Sequence, residues 1–213
     1  MDQNPYAAPK VELVDQSVPG AFLGGRWRAG QLRLLACLSL ALLLCNLVLF
    51  ALSFATALQA SGTWQRYELW VGVLSTVLGC FLLWRTRRFL EDRFNARGLA
   101  WPVGLSIAVA LVMQVYSLIF DEQLSGEFNG ALMGFMGLFV PTGVVTLWYG
   151  IRLLKIELPY PSVKVMGWLE VASGVCLISV VLFLPGTALA MASLLPLALM
   201  FLRAARELDV AAR

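Results

Sequence analysis

The chain has 213 residues, of which 60% are hydrophobic and only 14% charged, too little polar surface to cover a water-soluble globule of that size, so a lipid-embedded bundle is indicated. Its formal charge of +3 comes from basic residues that flank apolar stretches and form no free basic domain, which argues against nucleic acid as a partner. Histidine is absent, and with it the usual axial ligand of membrane haems, the commonest metal ligand and the commonest general base; no cofactor and no catalytic residues are expected.

Residues 1–30 are polar and interrupted by Pro5, Pro9, Pro19 and Gly20, as in a flexible cytoplasmic tail. Arg26, Arg28 and Arg33 then introduce a first apolar span, 32–58, longer than the core of a secretory signal. The second span, 69–84, stops in Arg85, Arg87, Arg88, Arg93 and Arg97, so the connection around Trp64, Arg66 and Tyr67 lies on the outer side and the two spans form a hairpin. The third, 100–120, opens with Pro102 in a first turn, where its missing N–H costs nothing, and ends in the acidic segment Asp121, Glu122, Glu127.

The fourth span, 131–153, carries Pro141 and leaves through Trp148, Tyr149, Arg152 and Lys155, a basic end with interfacial aromatics. After Pro159-Tyr160-Pro161 the fifth runs over 165–184, and Pro185-Gly186 is expected to reverse the chain into a sixth, 187–202. That last span is short for the hydrocarbon thickness and should continue through Arg203 and Arg206, whose long side chains can snorkel. Of the 16 Lys and Arg residues, only Arg66 falls in a segment placed outside, the bias of a multi-pass protein with both termini cytoplasmic.

The expected fold is therefore an all-α polytopic bundle of six transmembrane helices over residues 31–206, followed by a cytoplasmic tail, 207–213. Similar endings of the even spans, Leu83-Trp84-Arg85, Gly150-Ile151-Arg152 and Phe201-Leu202-Arg203, hint at three tandem hairpins. The excess of Arg over Lys and the Ala-, Leu-, Val- and Gly-rich spans suit a bacterial inner membrane. Cys37, Cys45, Cys80 and Cys176 all fall within spans without CxxC spacing, so neither a zinc site nor a disulfide framework is indicated.

Among residues that could carry function, Glu170 is the one carboxylate inside an apolar span, about one turn in from Val165. At that shallow depth it reads as an interfacial anchor whose charge water, Lys164, Arg152 or Lys155 could meet, with an intramembrane site as the sharper alternative. Asn46 in the first span and Gln114 in the third, the latter beside Tyr116 and Ser117, suit interhelical hydrogen bonds. Gly130, Gly134 and Gly137 put three glycines near one face of the fourth span, a helix-packing seam within the monomer or between copies. Pro141 and Pro196 can kink their helices and free carbonyl oxygens. The segment with Arg85, Arg87, Arg88, Arg93 and Arg97 also holds Phe89, Leu90 and Phe94, which would let a short amphipathic helix lie on anionic headgroups.

The opening Asn4-Pro5-Tyr6-Ala7-Ala8-Pro9 resembles an N-terminal tag, Asn-Pro-Tyr-x-x-Pro, of uncharacterised multi-pass inner-membrane proteins of proteobacteria. The resemblance covers six residues and implies compartment and class only.

A non-enzymatic accessory, regulatory or protective, immunity-like protein acting through protein or lipid contacts is the function this pattern suggests; a small-solute transporter or channel is the alternative, which would need a polar cavity joining Asn46, Gln114 and Glu170. The expected partners are the lipid bilayer and a membrane protein, with a second copy of the chain among the candidates and no nucleic acid. Reporter fusions at Ser61 and Gln123 should report the outer side, and fusions at Asn95, Pro161 and the C-terminus the cytoplasm; an external C-terminus would overturn the six-span topology.

Overall fold

The computed structural model describes residues 27–58, 62–124, 129–157 and 159–211. The segment 4–9, Ser61 and Glu127 lie outside the described residues, as do the side chains of Trp64, Asp121 and Glu122. The elements are α1 (Ala29–Leu58), α2 (Gly62–Phe94), α3 (Ala100–Ile119), α4 (Asp121–Leu124), α5 (Gly130–Gly137), α6 (Phe139–Leu154), α7 (Pro161–Ile178), α8 (Phe183–Ala192) and α9 (Leu194–Ala211). Six helical spans are long and apolar enough to cross a membrane: α1, α2, α3, α5 with α6, α7, and α8 with α9. In lipid every backbone N–H and C=O must be met internally, which a helix achieves and an open strand does not.

Three boundaries differ from the sequence reading. Helix α2 continues past Trp84 through the arginines to Phe94, because nothing there breaks a helix; it ends where Asn95 takes a φ of 50° and Gly98 one of 83°. No separate amphipathic helix forms there. Pro185-Gly186 does not turn the chain: the reversal occurs after Ile178, with Val180 at a φ of 57°, and Pro185 sits in the first turn of α8, where a proline lacks nothing. Residues 207–211, expected as tail, extend α9.

Two spans are broken in the same way. Leu138 separates α5 from α6 three residues before Pro141, and Ser193 separates α8 from α9 three residues before Pro196. In each case the proline cannot donate to the carbonyl four residues back, and its ring crowds that carbonyl, so the helix bends one turn upstream.

Each span packs on its neighbours in sequence, and α1 closes against α9, so the six form a ring. The tightest seam joins α6 to α7. A Cβ on Gly143 would lie 2.7 Å from the Gly174 carbonyl oxygen, one on Gly174 2.6 Å from Leu147 N, and one on Gly150 2.7 Å from Val171 N. Gly143 and Gly150 on α6, and Gly167 and Gly174 on α7, repeat every seven residues, which keeps the bare backbone on one stripe of each helix over two turns. Gly130 and Gly137 were expected to supply such a seam, yet a Cβ added to either would meet no atom within 4 Å, while Gly134 accommodates the Tyr116 ring. The expected stripe thus packs through one glycine only, because the face it occupies on α5 is turned from the nearest backbone.

The ring is packed solid at the end carrying both described termini. The main core cluster, from Trp27, Leu32 and Leu35 through Phe89, Leu153 and Val163 to Phe201 and Ala205, lies largely in the half of each span nearest that end and in the connections there. Phe89 makes edge contacts with Trp27 and Phe201 at centroid distances of 5.6 and 5.4 Å, and Phe94 with Tyr160 at 4.9 Å. Polar pairs cross the same layer: Trp27 Nε1 donates to Asp92 at 2.9 Å, Arg93 pairs with Glu207 at 3.1 Å, Tyr160 donates to Glu207, and Arg33 pairs with Asp209. Burial and the neighbouring Glu207 carboxylate push ionisation of Tyr160 well above the usual tyrosine range, so its hydroxyl stays a donor. Toward the other end an aromatic chain, Tyr116, Phe135, Phe139 and Phe183, links α3, α5, α6 and α8 at spacings of 6.2, 5.6 and 5.6 Å.

Gly174→Ala should lower unfolding stability by about 1–3 kcal/mol, since its methyl meets backbone that cannot step aside. Gly137→Ala, with open space around it, should be neutral or stabilising by up to about 1 kcal/mol. Unfolding in mixed micelles checks both, and equal effects would contradict the seam.

Candidate functional site

Above the packed layer the ring leaves a cavity of about 410 Å³ whose wall takes residues from all six spans: Asn46 from α1, Thr86 from α2, Ala110 from α3, Tyr149 from α6, Glu170 from α7 and Ser193 at the α8–α9 break. Aliphatic groups of Leu42, Leu82, Val109, Leu177, Leu194 and Leu197 make up much of the remainder. Its floor is the layer one turn nearer the termini, where Phe89, Leu153, Val163 and Phe201 have no exposed surface. A cavity of this size, mostly apolar with a few placed polar groups, has the character of a small-molecule site.

Helix α7 aims Glu170 inward. Its buried positions Val163, Met166, Gly167, Ser173, Gly174 and Leu177 fall at spacings of three and four, and Glu170 belongs to that stripe. Ser193 Oγ lies 2.6 Å from Glu170 Oε1 and 2.7 Å from the Ala190 carbonyl oxygen. A hydroxyl has one hydrogen for these two acceptors. A hydrogen on the carboxyl, or a donor brought by a ligand, completes the set. The Pro196 bend creates this arrangement by placing Ser193 at the helix break facing α7.

None of the basic residues expected to meet the Glu170 charge reaches it in the structure. Among the described residues it forms no ion pair: Lys164 stands on the exposed face of α7, Lys155 is exposed, and the Arg152 guanidinium lies against Gly98. Depth along the helix is as expected, but the side chain faces the ring interior, and depth alone does not specify face. Among the described residues, the cavity wall holds no Lys or Arg.

Asn46 also reaches the wall, and its Oδ1 accepts from Ser75 on α2 at 2.6 Å. Gln114 does not line the cavity. Its Oε1 accepts from Thr76 at 2.8 Å, so adjacent residues of α2 clamp that helix between α1 and α3. Both amides thus make the interhelical bonds expected of them, and Tyr116 adds one to the Ala131 carbonyl at 2.9 Å. The cavity joins two of the three residues that a transport route was expected to need.

Thr86, which sequence reasoning passed over, is 1% exposed, lines the cavity and has no hydrogen-bond partner for its Oγ1 among the described residues. Its position between Arg85 and Arg87 hid it, since the charges around it read as a membrane exit. Of the five arginines expected at the lipid surface, Arg93 is buried against Glu207, Arg87 pairs with Glu91 at 2.8 Å and Arg85 stacks 4.7 Å over Trp27; Arg88 and Arg97 are exposed. No group of three or more Cys, Asp or Glu able to hold a metal occurs among the described residues, and the four cysteines are separate free thiols.

With the cavity empty, Thr86→Val should raise unfolding stability by about 1 kcal/mol, because an isosteric methyl replaces a buried hydroxyl that lacks a partner. A loss of stability in ligand-free protein would mean that the hydroxyl is paired.

Comparison of the chain with protein-family models, with curated proteins and with solved structures gave no match.

Proposed function

We propose that this chain is a non-enzymatic integral membrane protein that works by holding a small, mainly apolar molecule in the cavity at the centre of its ring, and that an accessory, regulatory or protective role is exerted through that occupancy. The observation that carries the reading is the wall itself, to which all six spans contribute and in which one carboxylate stands without a basic partner among the described residues. An ionisable group facing a bundle interior is costly to keep and is usually retained for a ligand or an ion. The alternation of basic and acidic ends supports a bacterial inner membrane with both termini cytoplasmic. The open faces of Gly130 and Gly137, beside exposed Met133, would suit a membrane-protein partner or a second copy.

Transport of a small solute is the second reading, favoured by Asn46 and Glu170 sharing the wall. Against it stands the solid layer of Phe89, Leu153, Val163 and Phe201, which closes one end of the ring. Protein extracted gently from native membranes should carry a stoichiometric small molecule, detected by mass spectrometry, that is lost in Ala110→Phe, and proteoliposomes should show no solute or proton flux above empty vesicles. Saturable flux abolished by Asn46→Leu would replace binding with transport.

A further inference from the structure

We propose that the cavity takes a lipophilic organic cation, an amine whose ammonium group meets Glu170 and whose hydrocarbon body fills the aliphatic wall. The inference rests on the cavity-binding reading and adds the charge class of the ligand. Among the described residues, Glu170 is the only acidic group on a wall that holds no Lys or Arg, so an ionised carboxylate there has no counter-charge from the protein. A buried charge is tolerated only when paired, so Glu170 in its ionised form calls for a cationic partner. The contacts around Ser193 leave the carboxyl one hydrogen short, which an ammonium supplies directly to Glu170 while Ser193 keeps its own bond to Ala190.

An ammonium carries three donors, and besides Glu170 the wall takes Asn46, Ser193 and Tyr149, the last an aromatic residue of the kind that attracts a cation. An anionic ligand would face the opposite situation, with a carboxylate to repel it and no basic side chain to receive it. A neutral ligand would fill the volume but gain nothing from Glu170 beyond a single hydrogen bond.

The test uses the full chain in nanodiscs of zwitterionic lipid, with empty nanodiscs as the baseline, and equilibrium dialysis of two probes at neutral pH. One is 4-phenylbutylamine, which is cationic; the other is 4-phenylbutan-1-ol, which has the same body and no charge. Saturable one-to-one uptake of the amine is expected, at least about tenfold tighter than the alcohol, and Glu170→Gln should remove that advantage. Ala110→Phe, which fills the cavity, should abolish uptake of both. Equal affinity of the unsubstituted chain for amine and alcohol overturns the cation assignment and leaves the binding cavity standing, and this comparison needs no variant to fold. Unaltered amine affinity in Glu170→Gln overturns it as well, whereas no saturable uptake of either probe overturns the cavity reading together with it.

Discussion

Helix α1 packs along α9 through a shared core that includes Leu32, Leu35 and Ala36 on one side and Ala198, Phe201 and Ala205 on the other, and this seam between the two ends of the chain closes the ring. The other contacts join spans adjacent in sequence, which a short loop favours in any case. Without the closing contact they would describe an open row of helices with no interior. Burial alone gives apolar side chains little preference for helix over lipid, so closure has to come from close fit and from polar pairing. The termini end supplies both: aromatic edges around Phe89, and the Arg93, Tyr160 and Glu207 cluster that ties α2 and the start of α7 to α9.

The same ring that packs solid at one end opens at mid-depth, and the reason lies in backbone geometry. Pro141 and Pro196 bend the fourth and sixth spans at Leu138 and Ser193, and wall residues Phe139, Thr142, Ser193 and Leu194 sit at or beside those bends. Meanwhile the glycine stripes let α6 and α7 approach closely along their shared face. Beside that opening the buried Thr86 hydroxyl has no hydrogen-bond partner among the described residues, which costs stability.

Sequence patterning reached far in one dimension. The lengths of the apolar runs and the sidedness of the arginines placed all six spans, since a bilayer imposes a length and the charge bias imposes an alternation whichever helices touch. Asn46 and Gln114 were legible as interhelical donors and acceptors because an amide in hydrocarbon must find a partner. Glu170 was legible as exceptional for the same reason. The three-four spacing of Val163, Met166, Glu170, Ser173 and Leu177 already marks one face of α7, although nothing in that spacing says what the face meets.

What the tertiary structure decided was rotation and neighbourhood. A glycine pattern on a single helix is silent about its partner, so Gly130, Gly134 and Gly137 looked as good a seam as Gly143, Gly150, Gly167 and Gly174 until the facing backbone was in place. Whether Arg93 met lipid or Glu207 depended on α9 running one turn and more past its apolar stretch. Whether Glu170 met Ser193 depended on a bend made by Pro196, 26 residues away. The amino-acid sequence by itself determined which segments enter the membrane, because transfer to hydrocarbon is a property of each segment alone; the cavity and its carboxylate belong to the ring, because a wall made by six helices exists only once all six are oriented against one another.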